Sequence, residues 1–307
     1  MRTLFATDGS PSSDVALEFL CSLPRREGDH VEVLSVAVHH YGALGVGDAG
    51  VYVAELVREE NEEAAAIASA TAARLCACGI EAVARTDEGS APAAVIANAA
   101  ATASDLIVVG SRGRGLIAGT LLGSTARALA RHSPIPVLVV RDRREAPRRV
   151  LVAVDGSPDS HSALTAFAAM PRPRATEVVL LYVVSDRGGR TPAGDGGADD
   201  ERRDRERALQ VLERATSLLP PSFSARFEIA HGAVADRVLS TASAVGADLI
   251  VLGSRGTELG AGFLQGSTAD RVLSGAHCAV LVARAAERVR SEERVRRLAP
   301  ALAARAV

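Results

Sequence analysis

Two segments of the sequence combine glycines and hydroxyl residues at one shared spacing. Both follow the pattern G-x2-G-x9-G-S, formed by Gly110, Gly113, Gly123 and Ser124 and again by Gly253, Gly256, Gly266 and Ser267. Each lies between an apolar run and a stretch with helical spacing. Glycine lets the backbone approach a ligand without a Cβ atom in the way, and the N–H groups and dipole at a helix start favour an anion. The spacing therefore predicts a phosphate-binding loop in each half of the chain.

The basic residues limit how such a loop could hold phosphate. The chain contains no lysine, so all 35 basic residues are arginine. This excludes a Walker A lysine, a kinase-type phosphate lysine and a Schiff-base lysine. Backbone N–H groups, hydroxyls and arginine remain as phosphate ligands. Arg112 and Arg255, inside the two segments, are candidate contacts, with a solvated loop arginine as the alternative.

The overall composition excludes several other function classes. Of the 307 residues, 48% are hydrophobic and 23% charged, and the formal net charge is -2. This balance gives no global attraction to nucleic acid or anionic lipid, and the 3% of aromatics, without tryptophan, argues against base stacking. No window has the roughly 18 apolar residues that a membrane span needs, and no leader pattern opens the chain. The expected location is cytoplasmic.

The cysteines and histidines do not form a pattern that predicts a metal site. Cys76 and Cys78 are interpreted as small apolar residues at a helix end. His39 and His40 lie near the expected site and are interpreted as an exposed loop, because the second half has no histidines there. The cysteines are Cys21, Cys76, Cys78 and Cys278.

The chain contains two copies of one domain. ATDGSPSS at residues 6–13 recurs as AVDGSPDS at residues 153–160, and SDLIVVGSRG from Ser104 recurs as ADLIVLGSRG from Ala247. The repeats predict a first domain over 1–143, a second over 148–285 and a charged C-terminal tail over 286–307.

Within each copy, short β-rich runs alternate with alanine-rich stretches of helical spacing. The strands are continuous apolar runs, which is typical of a parallel sheet covered by helices on both faces. The expected third strand of the first copy spans Glu81–Arg85. The fold class is therefore α/β, with two tandem doubly wound domains. Each has a five-stranded parallel sheet with strand order 3-2-1-4-5.

This strand order predicts where a ligand would bind. In open parallel sheets, ligands bind beyond the carboxyl ends of the strands, where the strand order reverses. Asp8 ends the first strand and Gly110 ends the fourth, its neighbour at the reversal. For Asp8 and for Asp155 in the second copy, the alternative is a helix cap or an Asx turn before GSP. Ser124 or Thr125 is expected to cap the last helix of the first copy.

In combination, these features resemble the universal stress protein family, and specifically its tandem, ATP-binding members. The matching residues are TDGS and VDGS after the first strand, LSV and LYV in the second, and the complete glycine motif twice. Together they span everything but the C-terminal tail. The resemblance implies ATP as the ligand, with Mg²⁺, and pairing of the two domains through their last strands (IPVLVV and AVLVAR).

The resemblance also implies a role for each matching residue. Asp8 and Asp155 would bind the ribose or help hold a divalent ion. Val36 and Val183 would contact adenine, with core packing as the alternative. The residues implied to surround the phosphates are Gly110, Gly113, Gly123, Ser124 and Thr125, and Gly253, Gly256, Gly266, Ser267 and Thr268.

The function that this resemblance implies is that of a nucleotide-binding regulatory protein of the stress response. One alternative is a slow Mg²⁺-dependent ATPase, against which stand the missing lysine and the lack of a recognisable base or arginine finger. Another is a partner-binding module with vestigial sites. An intrachain pseudo-dimer is expected and a homodimer is left open, with no nucleic-acid or membrane partner.

The two copies differ in charge near the expected phosphates. Gly115 and Arg127 in the first copy correspond to Glu258 and Asp270 in the second. An acid near a phosphate weakens its binding. The sequence therefore predicts that the first site binds ATP more tightly.

Overall fold

The computed structural model describes residues 1–39, 49–114, 122–141, 145–173, 175–185, 197–256 and 267–285. The first domain contains β1 (Arg2–Ala6), α1 (Pro11–Ser22), β2 (His30–Ala37), α2 (Ala49–Ala77), β3 (Glu81–Glu88), α3 (Ala91–Ala101), β4 (Leu106–Gly110), α4 (Ser124–His132) and β5 (Val137–Val140). The second contains β6 (Arg149–Ala153), α5 (Pro158–Ala169), β7 (Glu177–Val184), α6 (Gly197–Ser217), β8 (Ser224–His231), α7 (Val234–Val245), β9 (Leu249–Gly253), α8 (Ser267–Gly275) and β10 (Ala279–Ala283).

The ten strands form one sheet, ordered β3-β2-β1-β4-β5-β10-β9-β6-β7-β8. Within each domain the strands are parallel and follow the predicted order 3-2-1-4-5, so the fold prediction is confirmed. None of the described helices is both long and apolar enough to cross a bilayer.

The central strands are apolar throughout because helices cover both of their faces. Along β4, Ile107 and Val108 are fully buried but belong to different cores, since successive side chains of a strand point to opposite faces. Phe19 of α1 packs into the same core as Val108, whereas Leu129 of α4 packs with Ile107. This two-sided burial explains the unbroken apolar runs in the sequence.

The two domains are joined through their last strands, which pair antiparallel. Val139 is opposite Val280, and Leu138 is opposite Leu281, which is the intrachain contact expected from the resemblance. Because this pair is antiparallel while each domain is parallel, the carboxyl ends of the two sets of strands point in opposite directions. The two predicted sites therefore lie at opposite edges of the ten-stranded sheet.

Arginines of the first domain reinforce this junction. The Arg131 Nε atom donates to Asp270 Oδ2 at 2.8 Å, and Arg141, which is buried, donates to the Leu273 carbonyl. In the loop after α1, Arg26 donates to the carbonyls of Ala169 and Met170 at 3.0 and 3.1 Å, at the end of α5. Cationic groups at a helix C-terminus satisfy its last carbonyls.

A disulfide between Cys21 and Cys78 joins the end of α1 to the residue that follows α2. The interpretation of Cys78 as a small apolar residue is therefore wrong. Cys76 is an exposed free thiol, and burial raises the pKa of the buried Cys278 thiol to about 11. Disulfides persist in oxidising compartments and are rare in the cytosol, so the redox state of the Cys21–Cys78 pair reports on where the chain functions.

Reduction of this disulfide should destabilise the protein. The bond links residues 57 positions apart, and the chain-entropy relation gives about 4 kcal/mol for a loop of this length. Urea denaturation of Cys21→Ala should show this loss, whereas Cys76→Ala should unfold like the unsubstituted protein. Four free thiols in the untreated protein, or an unchanged denaturation curve after reduction, would contradict the assignment.

Candidate functional site

The candidate site of the first domain lies where β1 and β4 end side by side. Ala6 and Val109 are register partners, so the segment after β1 and the glycine segment after β4 leave the sheet at adjacent points. This is the strand-order reversal, where open α/β sheets bind ligands. The structure therefore brings Asp8 and the first part of the glycine motif together, as predicted.

Asp8 connects the two segments through both carboxylate oxygens. Its Oδ1 accepts hydrogen bonds from the Ser10 backbone N–H at 3.0 Å and from the Ser13 hydroxyl at 2.6 Å. Its Oδ2 accepts from the Arg114 backbone N–H, in the glycine segment, at 2.9 Å. The bond to Ser10 is the Asx turn considered as an alternative from the sequence. Ser10, not Asp8, is the N-cap of α1.

The electrostatics of Asp8 favour its ionised form. Burial alone would raise its pKa, but the hydrogen bonds from Ser10, Ser13 and the Arg114 N–H together hold the pKa below the ordinary value of 3.8. The site therefore presents a fixed negative charge and acceptor at neutral pH.

The first two glycines of the motif make room for parts of the protein itself. A Cβ on Gly110 would lie 2.7 Å from the backbone carbon and oxygen of Ser12, and a Cβ on Gly113 would lie 2.8 Å from Asp8 Oδ2. Besides the expected close approach to a ligand, these glycines therefore have a structural role. They let the first turn of α1 and the Asp8 carboxylate sit directly against the loop.

The third glycine marks the start of α4. Gly123 is the N-cap, and its N–H donates to the Ser111 carbonyl at 2.8 Å. The expected caps Ser124 and Thr125 lie within the helix, so that prediction is wrong: the bond to Ser111 fixes Gly123 at the boundary. Because a glycine cap offers no side-chain acceptor, the N–H groups of the first turn are not capped by a side chain. Ser124 is exposed and Thr125 half-buried.

The second domain repeats this arrangement. A Cβ on Gly253 would lie 2.7 Å from the Ser160 backbone nitrogen, and one on Gly256 would lie 2.9 Å from Asp155 Oδ2. Asp155 Oδ1 accepts from the Ser157 N–H at 2.9 Å, again as an Asx turn. Ser267 and Thr268 begin α8, and Gly266 lies outside the described residues.

Two charged residues that the sequence placed near the phosphates have partners within the protein. The Asp270 carboxylate, expected near the phosphates, pairs with Arg131 across the domain junction. Arg255, a candidate phosphate contact, is an exposed residue whose Nε atom lies 3.5 Å from Asp159 Oδ2. Arg112 of the first domain is also exposed. Gly115 and Glu258 lie outside the described residues.

Val36 and Val183 lie near the carboxyl ends of β2 and β7. Both are half-buried and pack against the hydrophobic core, as the alternative interpretation held. Both also lie at the carboxyl edge of the sheet, where the ligand is expected, and their contact with adenine stays a prediction.

The sequence motifs did not single out several residues that shape the site. The Ser10 hydroxyl donates to the Arg112 carbonyl at 3.4 Å, and the Ser157 hydroxyl donates to the Arg255 carbonyl at 3.3 Å. Arg114 pairs with Glu63 of α2 at 2.6 Å. The repeat of the segment DGSP in both halves was the signal that could have indicated the role of these serines.

His39 also lies at this edge, after β2. Its Nδ1 atom lies 2.6 Å from Glu60 Oε2, and its Nε2 atom lies 3.5 Å from Glu88 Oε2. Within the described ranges, no group of three or more His, Cys, Asp and Glu residues could hold a metal ion. His40 is outside those ranges.

The universal stress protein family model matches the chain twice, at residues 1–141 and 147–284. The chain therefore belongs to the universal stress protein family, as a tandem member with two domains.

Among curated relatives, a universal stress protein of Mycolicibacterium smegmatis is 32% identical over 194 residues, covering 60% of this chain and 63% of the relative. One from Mycobacterium tuberculosis is 31% identical over 191 residues, covering 59% and 62%. The aligned region thus spans about three fifths of these relatives.

Two solved structures share the fold over nearly the whole chain. A universal stress protein from Archaeoglobus fulgidus has a TM-score of 0.63 at 23% identity, covering 92% of this chain and 98% of its own. A protein from Pseudomonas aeruginosa described as a putative universal stress protein has a TM-score of 0.54 at 17% identity, with 98% and 97% covered.

Replacing Asp8 by asparagine should weaken the first domain. The amide cannot accept from Arg114 with its NH₂ group, so a charge-assisted hydrogen bond worth about 1–3 kcal/mol is lost. Asp14→Asn, at an exposed carboxylate of α1, should cost less than about 1 kcal/mol. Urea denaturation at pH 7 measures both, and equal effects would contradict the role given to Asp8.

The same variant should change the acid sensitivity of the protein. Because folding lowers the pKa of Asp8, its contribution is complete above the unfolded value near 3.8 and is lost as the pH falls through the lower folded value. Asp8→Asn should therefore lose less stability than the unsubstituted protein on acidification below about pH 4. Parallel pH profiles for the two proteins would count against this assignment.

Proposed function

We propose that the protein is an ATP-binding regulator of the stress response, with one nucleotide site in each domain. The observation that carries this proposal is the hydrogen bond that joins Asp8 to the glycine segment at the strand-order reversal. In the second domain Asp155 lies equally close to Gly256. Family membership supports the same conclusion.

Each part of the site would hold a different part of the nucleotide. The ionised Asp8 carboxylate would accept from the ribose hydroxyls, and Val36 would pack against adenine. The loop from Gly110 and the N–H groups at the start of α4 would bind the phosphates, because a helix start without a side-chain cap offers donors to an anion. Asp155, Val183 and the loop from Gly253 would do the same in the second domain.

Magnesium would accompany the triphosphate. Mg²⁺ prefers oxygen ligands and is commonly held by one or two carboxylates together with substrate phosphates. Asp8 and Asp155 each place a carboxylate beside one loop, which fits an ion carried mainly by the nucleotide. This ion would neutralise phosphate charge that the chain, lacking lysine, balances only with arginine and N–H groups.

The residues described at the site support a regulatory role. Phosphoryl transfer needs a residue that orients the attacking water and groups that stabilise the charge developing on the phosphate. The described part of the site offers Asp8, already engaged in three hydrogen bonds. Such an arrangement suits retention of a nucleotide, and occupancy would alter the surface formed by the two loops.

Calorimetric titration with Mg-ATP tests this function. The unsubstituted protein should bind two ATP molecules, and Gly123→Val should abolish one of them. A Cβ on Gly123 already lies 3.4 Å from the Arg112 Cα and the Ser111 carbonyl oxygen, so valine methyl groups would fill the loop. Gly266→Val should abolish the other, and chelation of Mg²⁺ should weaken both.

Ala100→Val provides the control, because this exposed position in the last turn of α3 lies at the opposite edge of its domain. It should bind like the unsubstituted protein. No heat and no retained nucleotide with millimolar Mg-ATP would refute the proposal. A turnover rate well above the uncatalysed rate would instead favour the ATPase alternative.

A further inference from the structure

The two sites contain a six-residue segment that differs at one position. Residues 8–13 read DGSPSS and residues 155–160 read DGSPDS. The loops that these segments contact begin with the same sequence, GSRG, at Gly110 and at Gly253. Ser12 in the first domain and Asp159 in the second are therefore a substitution within otherwise matched surroundings.

In the first domain this position makes neutral contacts with the loop. The Ser12 hydroxyl lies 3.3 Å from the Ser111 hydroxyl and accepts a hydrogen bond from the Arg112 backbone N–H at 3.1 Å. The loop is thus held against α1 without adding charge.

In the second domain the same position places a buried carboxylate against the loop. Asp159 is 5% exposed, and its Oδ2 accepts from the Ser254 hydroxyl at 2.8 Å. Its Oδ1 accepts from the Ala285 backbone N–H at 2.8 Å, just beyond β10. The Arg284 Nε atom donates to the same Ser254 hydroxyl at 3.2 Å. Water screens a buried charge much less than an exposed one, so the Asp159 carboxylate makes the surroundings of the loop more negative than a serine would.

Asp159 also engages the groups that could bind phosphate. A serine hydroxyl has a single donor, and that of Ser254 is directed to Asp159. The Arg255 guanidinium lies 3.5 Å from the same carboxylate oxygen. A phosphate that recruited either group would remove one of the partners of a buried carboxylate, which is unfavourable. A phosphate that recruited neither group would be repelled by the Asp159 carboxylate.

We infer that Asp159 sets the phosphate preference of the second site, so that this site binds ATP more weakly relative to AMP than the first site does. The first site, with Ser12, accepts the triphosphate. Coulomb repulsion grows with the charge of the ligand, so the carboxylate acts more strongly against ATP than against AMP. This inference rests on the proposed function and concerns only the difference between its two sites.

Proteins with one working site allow a direct test. Gly123→Val leaves the second site and Gly266→Val leaves the first, and each full-length protein is titrated with ATP and with AMP. The measured quantity is the ratio of the ATP dissociation constant to that of AMP. We expect this ratio to be at least about tenfold higher at the second site, the scale of one charge at short range.

Reciprocal substitutions then assign the difference to one residue. Asp159→Ser should lower the ratio at the second site by about tenfold, and Ser12→Asp should raise it at the first by a similar factor. Asp159→Asn removes the charge at nearly constant shape and should act like serine. Asp159→Glu keeps the charge and should leave the ratio high, so the pair separates charge from packing.

If the Asp159 variants fail to fold, Ser12→Asp still tests the inference, because it leaves Asp159 unchanged. Ratios that change by less than about twofold in both reciprocal variants, while both nucleotides still bind, would overturn the inference and leave the proposed function intact. Binding of ATP without any binding of AMP would overturn the inference alone. Failure of both nucleotides to bind the unsubstituted protein would overturn the proposed function, and the inference with it.

Discussion

The Asp8 carboxylate is the contact on which the geometry of the first site depends. One oxygen orders the turn into α1, and the other holds the glycine segment through the Arg114 N–H. Gly113 lies so close to this carboxylate that a side chain there would collide with it. The same pair, Asp155 and Gly256, recurs in the second domain. Packing around the aspartate therefore requires glycine at this position of the motif, whether or not a ligand is bound.

The antiparallel junction between β5 and β10 relates the two copies of the domain. Arg131 of the first domain and Asp270 of the second pair across it. Because these residues serve the junction, they need not be the same in both copies. The junction also sends the carboxyl edges of the two domains in opposite directions. A ligand at one site thus lies at the opposite edge of the sheet from a ligand at the other.

The sequence predicts the strand order because burial on both faces leaves an apolar run that few other folds produce. It predicts β3 only as Glu81–Arg85, whereas the strand continues to Glu88. Charged residues at the open edge of a sheet prevent unwanted pairing and hide the strand from a search for apolar runs. The Cys21–Cys78 bond depends on how α1 packs against α2, which residue spacing does not encode. The contacts of Asp159 likewise depend on the facing loop and are invisible in DGSPDS alone.

A duplicated site can change its ligand only if the loop that forms it remains held. Ser12 holds the first loop through the Ser111 hydroxyl and the Arg112 N–H. Asp159 holds the second loop through Ser254 and Arg255. Ser12 and Asp159 both occupy the first turn of a helix, where the positive end of the dipole favours a carboxylate, so aspartate is accommodated in place of serine. The substitution therefore preserves local structure while adding a negative charge beside the loop. Divergence of this kind requires no change in the sheet, the glycines or the aspartate that organises each site.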